Sequence, residues 1–222
     1  MKRQIVRKVK KMSSYWDRRF AAEGMIWGEL PSRTVYHASD VFQQNNINTV
    51  LVPGSGYGRN TKALSSRFQV DGIEITPNAI RLAREWDTNS HFIEGSVLDP
   101  LSYPKVYDAV YCFDVLHLFL EKERKQLIHH CYQHLRAAGL MYFTCFSDED
   151  PHCGIGRVIE ENTYEYLDGK YAHFFTAQDL ADHFAGMEIY ETGSVVETLT
   201  YGDQRTKKYR LRYIIVKKDG NH

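Results

Sequence analysis

Three glycines alternate with other residues directly after a short apolar run, in the segment TVLVPGSGYGRN at residues 49–60. They are Gly54, Gly56 and Gly58, and the run before them, residues 49–53, predicts a buried strand. Because glycine has no Cβ, it can adopt a positive φ and let a ligand approach the main chain. A strand, a glycine turn and a helix that begins near Arg59 therefore predict a site where bare backbone contacts a nucleotide-like ligand.

The spacing of these glycines narrows the choice of ligand. A dinucleotide fingerprint reads GxGxxG, whereas this turn reads GxGxG and places its third glycine one residue earlier. The shorter turn favours the amino-acid end of S-adenosylmethionine over a pyrophosphate.

Acidic residues follow the next two predicted strands. Glu74 lies twenty residues beyond Gly54, where an acid in nucleotide-binding α/β folds accepts hydrogen bonds from ribose hydroxyls. We favour that role over a solvated strand end. Asp99 is positioned to accept a bond from an adenine amino group, with Val97 and Leu98 against the ring, although it also fits a turn that begins at Asp99-Pro100.

The fourth predicted strand ends in the sequence FDVLH at residues 113–117. Ligands of open α/β sheets bind outside the carboxyl ends of the strands, so this segment is expected to face the site. Asp114 either contacts the ammonium group of the ligand or begins the loop. His117 either contacts substrate or is a loop histidine.

Apolar runs alternate with helical patterns through most of the chain. Strands buried on both faces belong to a parallel sheet covered by helices, and two final strands joined without a helix must be antiparallel. The sequence therefore predicts an α/β fold, a Rossmann-like three-layer sandwich. The predicted strands are 49–53, 70–75, 91–94, 107–113, 140–146, 187–197 and 207–217, and the helices are 31–44, 59–68, 77–87, 121–136 with Gly139 as an αL cap, and 177–185.

Two segments stand outside this alternation. Residues 147–175 are polar, aromatic and without clear periodicity, and a connection of this length predicts a lid or a substrate-binding insertion. Residues 1–46 are predicted as an N-terminal helical cap. The 222 residues fit one domain with both additions.

Composition excludes several classes of protein. The formal net charge is zero, so the global basic field of a nucleic-acid-binding protein is missing. Basic residues gather in the leader at residues 2–11 and in the tail at residues 205–218, where they fit solvated faces. The four cysteines form no CxxC pair, which fits reduced thiols and a cytoplasmic location. The sequence shows neither a secretory signal nor a membrane-spanning run.

From about Tyr15 onward the chain resembles the class I S-adenosylmethionine-dependent methyltransferases. It is most similar to their small-molecule branch, which includes the tellurite-resistance and thiopurine methyltransferases. The fold of that family is a seven-stranded sheet whose last strand is antiparallel. The segments that carry the resemblance are YWDRRF at 15–20, WGELPS at 27–32, GSGYGRNT at 54–61, GIGRVIEENTYE at 154–165 and HFFTAQDL at 173–180.

This resemblance implies S-adenosylmethionine as the cofactor and S-adenosylhomocysteine as the product. One departure is that Val52 and Pro53 stand where many members have an acid. The ammonium group of the cofactor then needs another acceptor, either backbone carbonyls near Gly54 or the Asp114 side chain. The cofactor-binding residues carried over are Gly54, Ser55, Gly56, Tyr57, Glu74, Ile75, Val97, Leu98, Asp99, Phe113 and Asp114.

Methyl transfer is an in-line displacement at a carbon activated by a sulfonium, and its leaving group departs neutral. Alignment alone can supply about 7–11 kcal/mol, aromatic rings can stabilise the sulfonium, and a base is needed only for a protonated nucleophile. We therefore expect an aromatic site without a certain catalytic residue, with Tyr15 and His117 as the candidates. No metal is expected, because the pair His130 and His134 lacks a carboxylate motif. The candidates for substrate contact are Trp16, Trp27, His117, Phe119, Arg157, Tyr164 and His173.

The functional prediction is methyl transfer to a small-molecule acceptor by a monomer or homodimer without a membrane partner. One alternative is a nucleic-acid methyltransferase, although the sequence after the fourth strand is FDVL rather than an NPPY-like tetrad. The other alternative is a non-catalytic protein that binds the cofactor.

Overall fold

The structure is a computed structural model, and it describes residues 14–99, 105–201 and 205–220. The basic leader, Pro100 of the predicted turn and residues 202–203 between the last two strands lie outside the described residues. Six α-helices, one short 3-10 helix (Leu116–Leu118) and ten strands are found in the described part of the chain. The helices are α1 (14–23), α2 (Arg33–Gln44), α3 (Arg59–Leu64), α4 (Pro77–Trp86), α5 (Glu121–Gln133) and α6 (Ala177–His183). The strands are β1 (Thr49–Pro53), β2 (Gln69–Glu74), β3 (His91–Glu94), β4 (Tyr107–Cys112), β5 (Leu135–Phe146), β6 (Arg157–Glu160), β7 (Thr163–Leu167), β8 (Lys170–His173), β9 (Glu188–Thr200) and β10 (Thr206–Lys217).

Seven strands form one sheet in the order β3-β2-β1-β4-β5-β10-β9. The first five strands are parallel, while β10 is antiparallel to both β5 and β9. The predicted α/β fold with an antiparallel end is confirmed. The strand order reverses between β1 and β4. The carboxyl ends of the strands at such a switch point form a crevice.

Both faces of the sheet are buried. Successive residues of a strand point to opposite sides of the sheet, so neighbouring residues enter different cores. In β1 and β4, Leu51 and Val110 pack into the core that contains residues of α5 and α6. Their neighbours Val50 and Ala109 pack into the core that contains residues of α2 and α3. The near-continuous apolar runs of the sequence are therefore the central layer of a three-layer sandwich.

The predicted end of α5 is wrong. The helix ends at Gln133 rather than at residue 136, and β5 begins at Leu135. Ala138 has a φ of 57°, whereas Gly139 is a strand residue without a positive φ. A Cβ on Gly139 would lie 2.8 Å from the carbonyl oxygen of Asp108. The glycine is therefore needed for the close approach of β5 to β4, not for an αL cap.

The prediction of an irregular segment at 147–175 is also wrong. Strands β6, β7 and β8 form a separate antiparallel sheet of three strands. Both strand pairings contain a register shift, which breaks the two-residue alternation by which a strand is recognised. The use of this small sheet as a lid stays a prediction, as does the cap at 1–46.

Other predicted boundaries differ by a few residues. Helix α3 ends at Leu64 instead of residue 68, and β9 continues to Thr200 instead of residue 197. Thr176 caps α6 by accepting from the amide of Asp179. None of the helices in the described ranges is long and apolar enough to cross a membrane.

Candidate active site

A cavity of about 820 Å³ opens at the carboxyl ends of β1, β2 and β4. Its walls come from α1, the glycine turn after β1, the segment after β4, the small sheet and the β9–β10 hairpin. Most residues predicted from the sequence are brought together there. They are Tyr15, Trp16, Trp27, Gly54, Ser55, Gly56, Tyr57, Glu74, Ile75, Val97, Phe113, Asp114, His117 and Phe119.

The glycine turn has the conformation that its spacing predicts. Gly54, Gly56 and Gly58 have φ values of 67°, 56° and 84°, which L side chains rarely adopt. A Cβ on Gly54 would lie 2.4 Å from Cγ2 of Val115. The turn therefore keeps bare backbone at the cavity, and Ser55 in its centre has a buried hydroxyl without a hydrogen-bond partner among the described residues.

Glu74 lies at the end of β2 and is only 8 % exposed. Its Oε1 accepts from the amides of Ile75 and Thr76, at 2.9 and 2.8 Å, and from the Thr76 hydroxyl at 2.8 Å. Its Oε2 accepts from the amide of Gly56 at 3.1 Å. Burial raises the pKa of the carboxyl, and these bonds oppose that rise. Oε1 is saturated, so Oε2 is the oxygen with capacity for another donor.

Asp114 follows β4 with a φ of 54°. Its Oδ1 accepts from the Thr144 hydroxyl at 2.8 Å, and its backbone amide donates to Oγ1 of Thr144 at 2.9 Å. Burial raises the pKa of this carboxyl to about 7, and the negative charge of Glu197 adds to the rise while Arg59 opposes it. A carboxyl of this kind ionises more readily when a cation is placed beside it.

Glu197 on β9 is a buried acid that sequence analysis missed. Its Oε2 accepts from the Ser32 hydroxyl at 2.9 Å and from the Arg33 amide at 3.3 Å. The amide of Ser32 donates in turn to Oδ1 of Asn60, at 3.0 Å, and Asn60 lines the cavity. No local signal in the sequence joins residues 165 positions apart.

Helix α1 places an aromatic cluster against the glycine turn. Phe20 and Trp27 lie 6.0 and 6.2 Å from the Tyr57 ring, measured between centroids, and Trp16 lies 5.7 Å from Trp27. The Tyr57 hydroxyl donates to the carbonyl of Gly28 at 2.7 Å. The aromatic residues near the start of the chain therefore cover the turn instead of packing into the sheet core.

A second aromatic group also lines the cavity. The His117 ring stacks on Phe146 with 3.8 Å between centroids, and Phe146 also stacks on Phe174 and Tyr209. His117 is 2 % exposed, and its Nδ1 has no hydrogen-bond partner among the described residues. Burial lowers the pKa of His117 to about 3, so the imidazole is neutral at physiological pH and weakly basic.

Two predicted adenine contacts lie away from the cavity wall. Leu98 is buried in the hydrophobic core, and its carbonyl accepts from the Gln126 side chain. Asp99 is exposed, and its amide donates to the carbonyl of Ser96 at 3.0 Å. The predicted contacts of both residues gain no support from the shape of the cavity.

Three predicted substrate contacts also lie outside the wall. Arg157 is exposed and paired with Glu165, while Tyr164 packs on Phe174 at 6.0 Å between ring centroids. His173 uses both ring nitrogens within the protein, Nδ1 with the Thr163 hydroxyl at 2.8 Å and Nε2 with Asp179 at 2.6 Å. The bond between His173 and Asp179 links β8 to α6. No group of three or more metal-ligating side chains occurs in the described part of the chain.

The strand order, the antiparallel β10 and the cavity at the glycine turn together define the class I S-adenosylmethionine-dependent methyltransferase fold. Residues 50–139 match the family model of the methyltransferase domain. Over these residues the chain is similar to a methyltransferase domain. No curated protein matches the chain in sequence.

Several solved structures share this fold. One comes from work on the conversion of a disulfide bond into a thioacetal group during echinomycin biosynthesis, with a TM-score of 0.74, 18 % identity and coverage of 95 % of this chain and 94 % of that one. TehB from Haemophilus influenzae has a TM-score of 0.63 and 16 % identity, and the match covers 83 % of this chain and 62 % of that one. The Burkholderia thailandensis 1,6-didemethyltoxoflavin-N1-methyltransferase has a TM-score of 0.66 and 18 % identity, covering 98 % and 89 %.

Proposed function

We propose that this methyltransferase transfers a methyl group to a small molecule held in the aromatic part of the cavity. The observation that carries the proposal is the continuity of one cavity from the glycine turn to the aromatic rings of α1 and of the small sheet. The structural neighbour from Burkholderia thailandensis has 1,6-didemethyltoxoflavin and S-adenosylhomocysteine bound, so the fold accommodates an acceptor of this size. Nucleic acid is less favoured because the formal net charge of the chain is zero.

The residues at the glycine turn fit S-adenosylmethionine. The left-handed glycines expose main-chain groups, and the Ser55 hydroxyl is buried without a partner among the described residues. Oε2 of Glu74 has capacity for a ribose hydroxyl. The Asp114 carboxyl is suited to the ammonium group, because a cation beside it would stabilise its ionised form. Asp114 would thereby take the role of the acid that many members of the family have at the position of Val52.

The bound cofactor supplies a methyl group on a positively charged sulfur. The side chains of this protein orient the acceptor and exclude water, since the rings of Trp16, Phe146 and Phe174 present flat apolar faces. Nδ1 of neutral His117 has no hydrogen-bond partner among the described residues and can bond the acceptor, which fits orientation better than strong base catalysis. Alignment is then the main source of the rate.

Calorimetry with S-adenosylmethionine and S-adenosylhomocysteine tests the cofactor assignment. We expect sub-millimolar binding of both, and an absence of binding would refute the proposal. A screen of thiol, amine, halide, chalcogen and phenol acceptors, read out as S-adenosylhomocysteine release, then tests the activity. A cofactor-bound protein that turns over none of them would favour the non-catalytic alternative.

Filter binding with tRNA and duplex DNA decides between a small acceptor and a nucleic acid. Tight binding that weakens steeply with salt would favour the nucleic-acid alternative. We expect weak binding, because the formal net charge of the chain is zero.

A cytoplasmic location is also part of the proposal. All four cysteines are free, and Cys112, Cys131 and Cys145 are buried, which suits a reducing compartment. Fractionation of cells that express the tagged protein tests this, and recovery in an oxidising compartment would refute it.

A further inference from the structure

Lys170 is a buried cation at the start of β8, and it lines the cavity. Its side chain is only 5 % exposed. The Nζ atom lies over the ring of Tyr15, 4.8 Å from the centroid of Trp16 and 5.9 Å from that of Tyr166. A lysine is seldom buried this far without a partner.

The charge of Lys170 has no acidic counterpart among the described residues. The side chain makes no hydrogen bond or ion pair there, and the charged group that acts on it is Arg19, which repels it. Arg19 is itself paired with Glu23, with 2.8 Å between Nε and Oε1. Burial and this repulsion lower the pKa of Lys170 to about 7. An unpaired buried charge is unfavourable, so an anion in the cavity would stabilise the ammonium form.

The aromatic rings around Lys170 define the shape of a ligand that reaches it. Strand β8 packs against the turn that carries His117, and Phe174 directly follows β8 and stacks on Phe146 with an angle of 22° between the rings. The ring of Trp16 from α1 also lies beside Nζ. The open space beside the ammonium is therefore bordered by flat apolar faces, which favour a planar ligand.

We propose that Lys170 binds the anionic oxygen substituent, a carboxylate or its equivalent, of a planar aromatic methyl acceptor. This inference rests on the proposed small-molecule function and specifies its substrate class. A cationic ligand is disfavoured, because the ammonium of Lys170 already occupies the position over the Tyr15 ring where such a ligand would bind.

The test compares two probes of the same shape, 2-naphthoate and 2-naphthamide. Their affinities are measured by calorimetry at pH 6.5, with and without S-adenosylhomocysteine. We expect wild-type protein to bind the naphthoate about tenfold or more tightly than the amide, as befits one charge-assisted contact. Lys170→Met should abolish this preference while leaving the affinity for the amide nearly unchanged, and Lys170→Arg should restore much of it.

Lys125→Met is the matched control, since Lys125 is exposed on α5 and paired with Glu121. It should keep the wild-type preference. The melting temperature of Lys170→Met should equal or exceed that of wild type, because the substitution removes a buried unpaired charge. If that variant fails to fold, Lys170→Gln replaces it in the comparison.

Equal affinities of wild type for the two probes would overturn the Lys170 assignment, as would no binding of naphthoate at millimolar concentration or an equal loss of both probes in Lys170→Met. Failure of S-adenosylhomocysteine to bind would instead refute the proposed function. The measurements without that ligand would still decide whether Lys170 recognises an anion.

Discussion

Replacing Glu74 by glutamine separates the structural role of this carboxylate from its proposed role in cofactor binding. The glutamine carbonyl can take the place of Oε1 and keep the bonds from Ile75, Thr76 and the Thr76 hydroxyl. The side-chain amide then faces the N–H of Gly56, so that two donors meet where an acceptor stood at 3.1 Å. Glu74→Ala would instead remove the acceptor for all four donors.

The magnitude of the stability change comes from that one contact. A hydrogen bond to a charged group contributes about 1.5–3 kcal/mol, but removing a buried charge recovers part of this loss. We therefore expect Glu74→Gln to lower the free energy of unfolding by about 1–2 kcal/mol. Glu74→Ala should lower it by about 3 kcal/mol or more, since several buried donors lose their acceptor. Urea denaturation of both variants measures this difference.

The affinity for S-adenosylhomocysteine tests the proposed ribose contact. Loss of a charged acceptor for a hydroxyl corresponds to about a 10- to 100-fold weaker binding. Glu94→Gln is the matched control, because Glu94 is opposite Glu74 in the β2–β3 register but is exposed. Calorimetry that shows a folded Glu74→Gln with wild-type affinity would refute the ribose assignment, as would an equal loss in Glu94→Gln.

Three further predictions concern other residues of the site. Gly54→Ala should lower the free energy of unfolding by about 2 kcal/mol or more, because the backbone is left-handed there and the added Cβ clashes with Val115. Gly95→Ala is the control, since no atom lies within 4 Å of its added Cβ, and it should change the urea midpoint little. The folded-state pKa of Asp114 is raised to about 7, so the stability that its protonated carboxyl contributes is lost as the pH rises through that value. The melting temperature of Asp114→Asn should therefore rise relative to that of wild type between pH 4 and 8. A difference that stays constant over this range would contradict this. With its pKa lowered to about 3, His117 should stay neutral in an NMR titration from pH 8 to 5, and protonation in that range would show that the ring is not buried.

Local pattern was sufficient to predict the half of the site built from consecutive residues. The strand Thr49–Pro53 and the glycines after it form one continuous segment, and the position of Glu74 follows from the length of one helix and one strand. Backbone conformation is dictated locally in such a segment. The local pattern therefore predicts both the glycine turn and the position of Glu74, and both line the cavity.

The other half of the site depends on contacts between distant segments. Glu197 of β9 accepts a hydrogen bond from Ser32, and Nζ of Lys170 lies beside the aromatic rings of α1. Neither residue stands in a motif, because its environment is set by the packing of two segments rather than by its neighbours in sequence. His173 stays a predicted substrate contact, but both of its ring nitrogens bond within the protein, to Thr163 and Asp179.

The place of β10 between β5 and β9 has a consequence for the order of folding. Strand β9 precedes β10 in the chain, but it lies at the edge of the sheet and pairs with β10. It therefore has no partner strand during synthesis until β10 has emerged and added to β5. Leu199 and Tyr209 of this hairpin line the cavity, so the ligand-binding crevice is completed only once β10 has paired. A ligand can then stabilise the nascent chain only after β10 has been made, and pairing between strands as distant as β5 and β10 is slow.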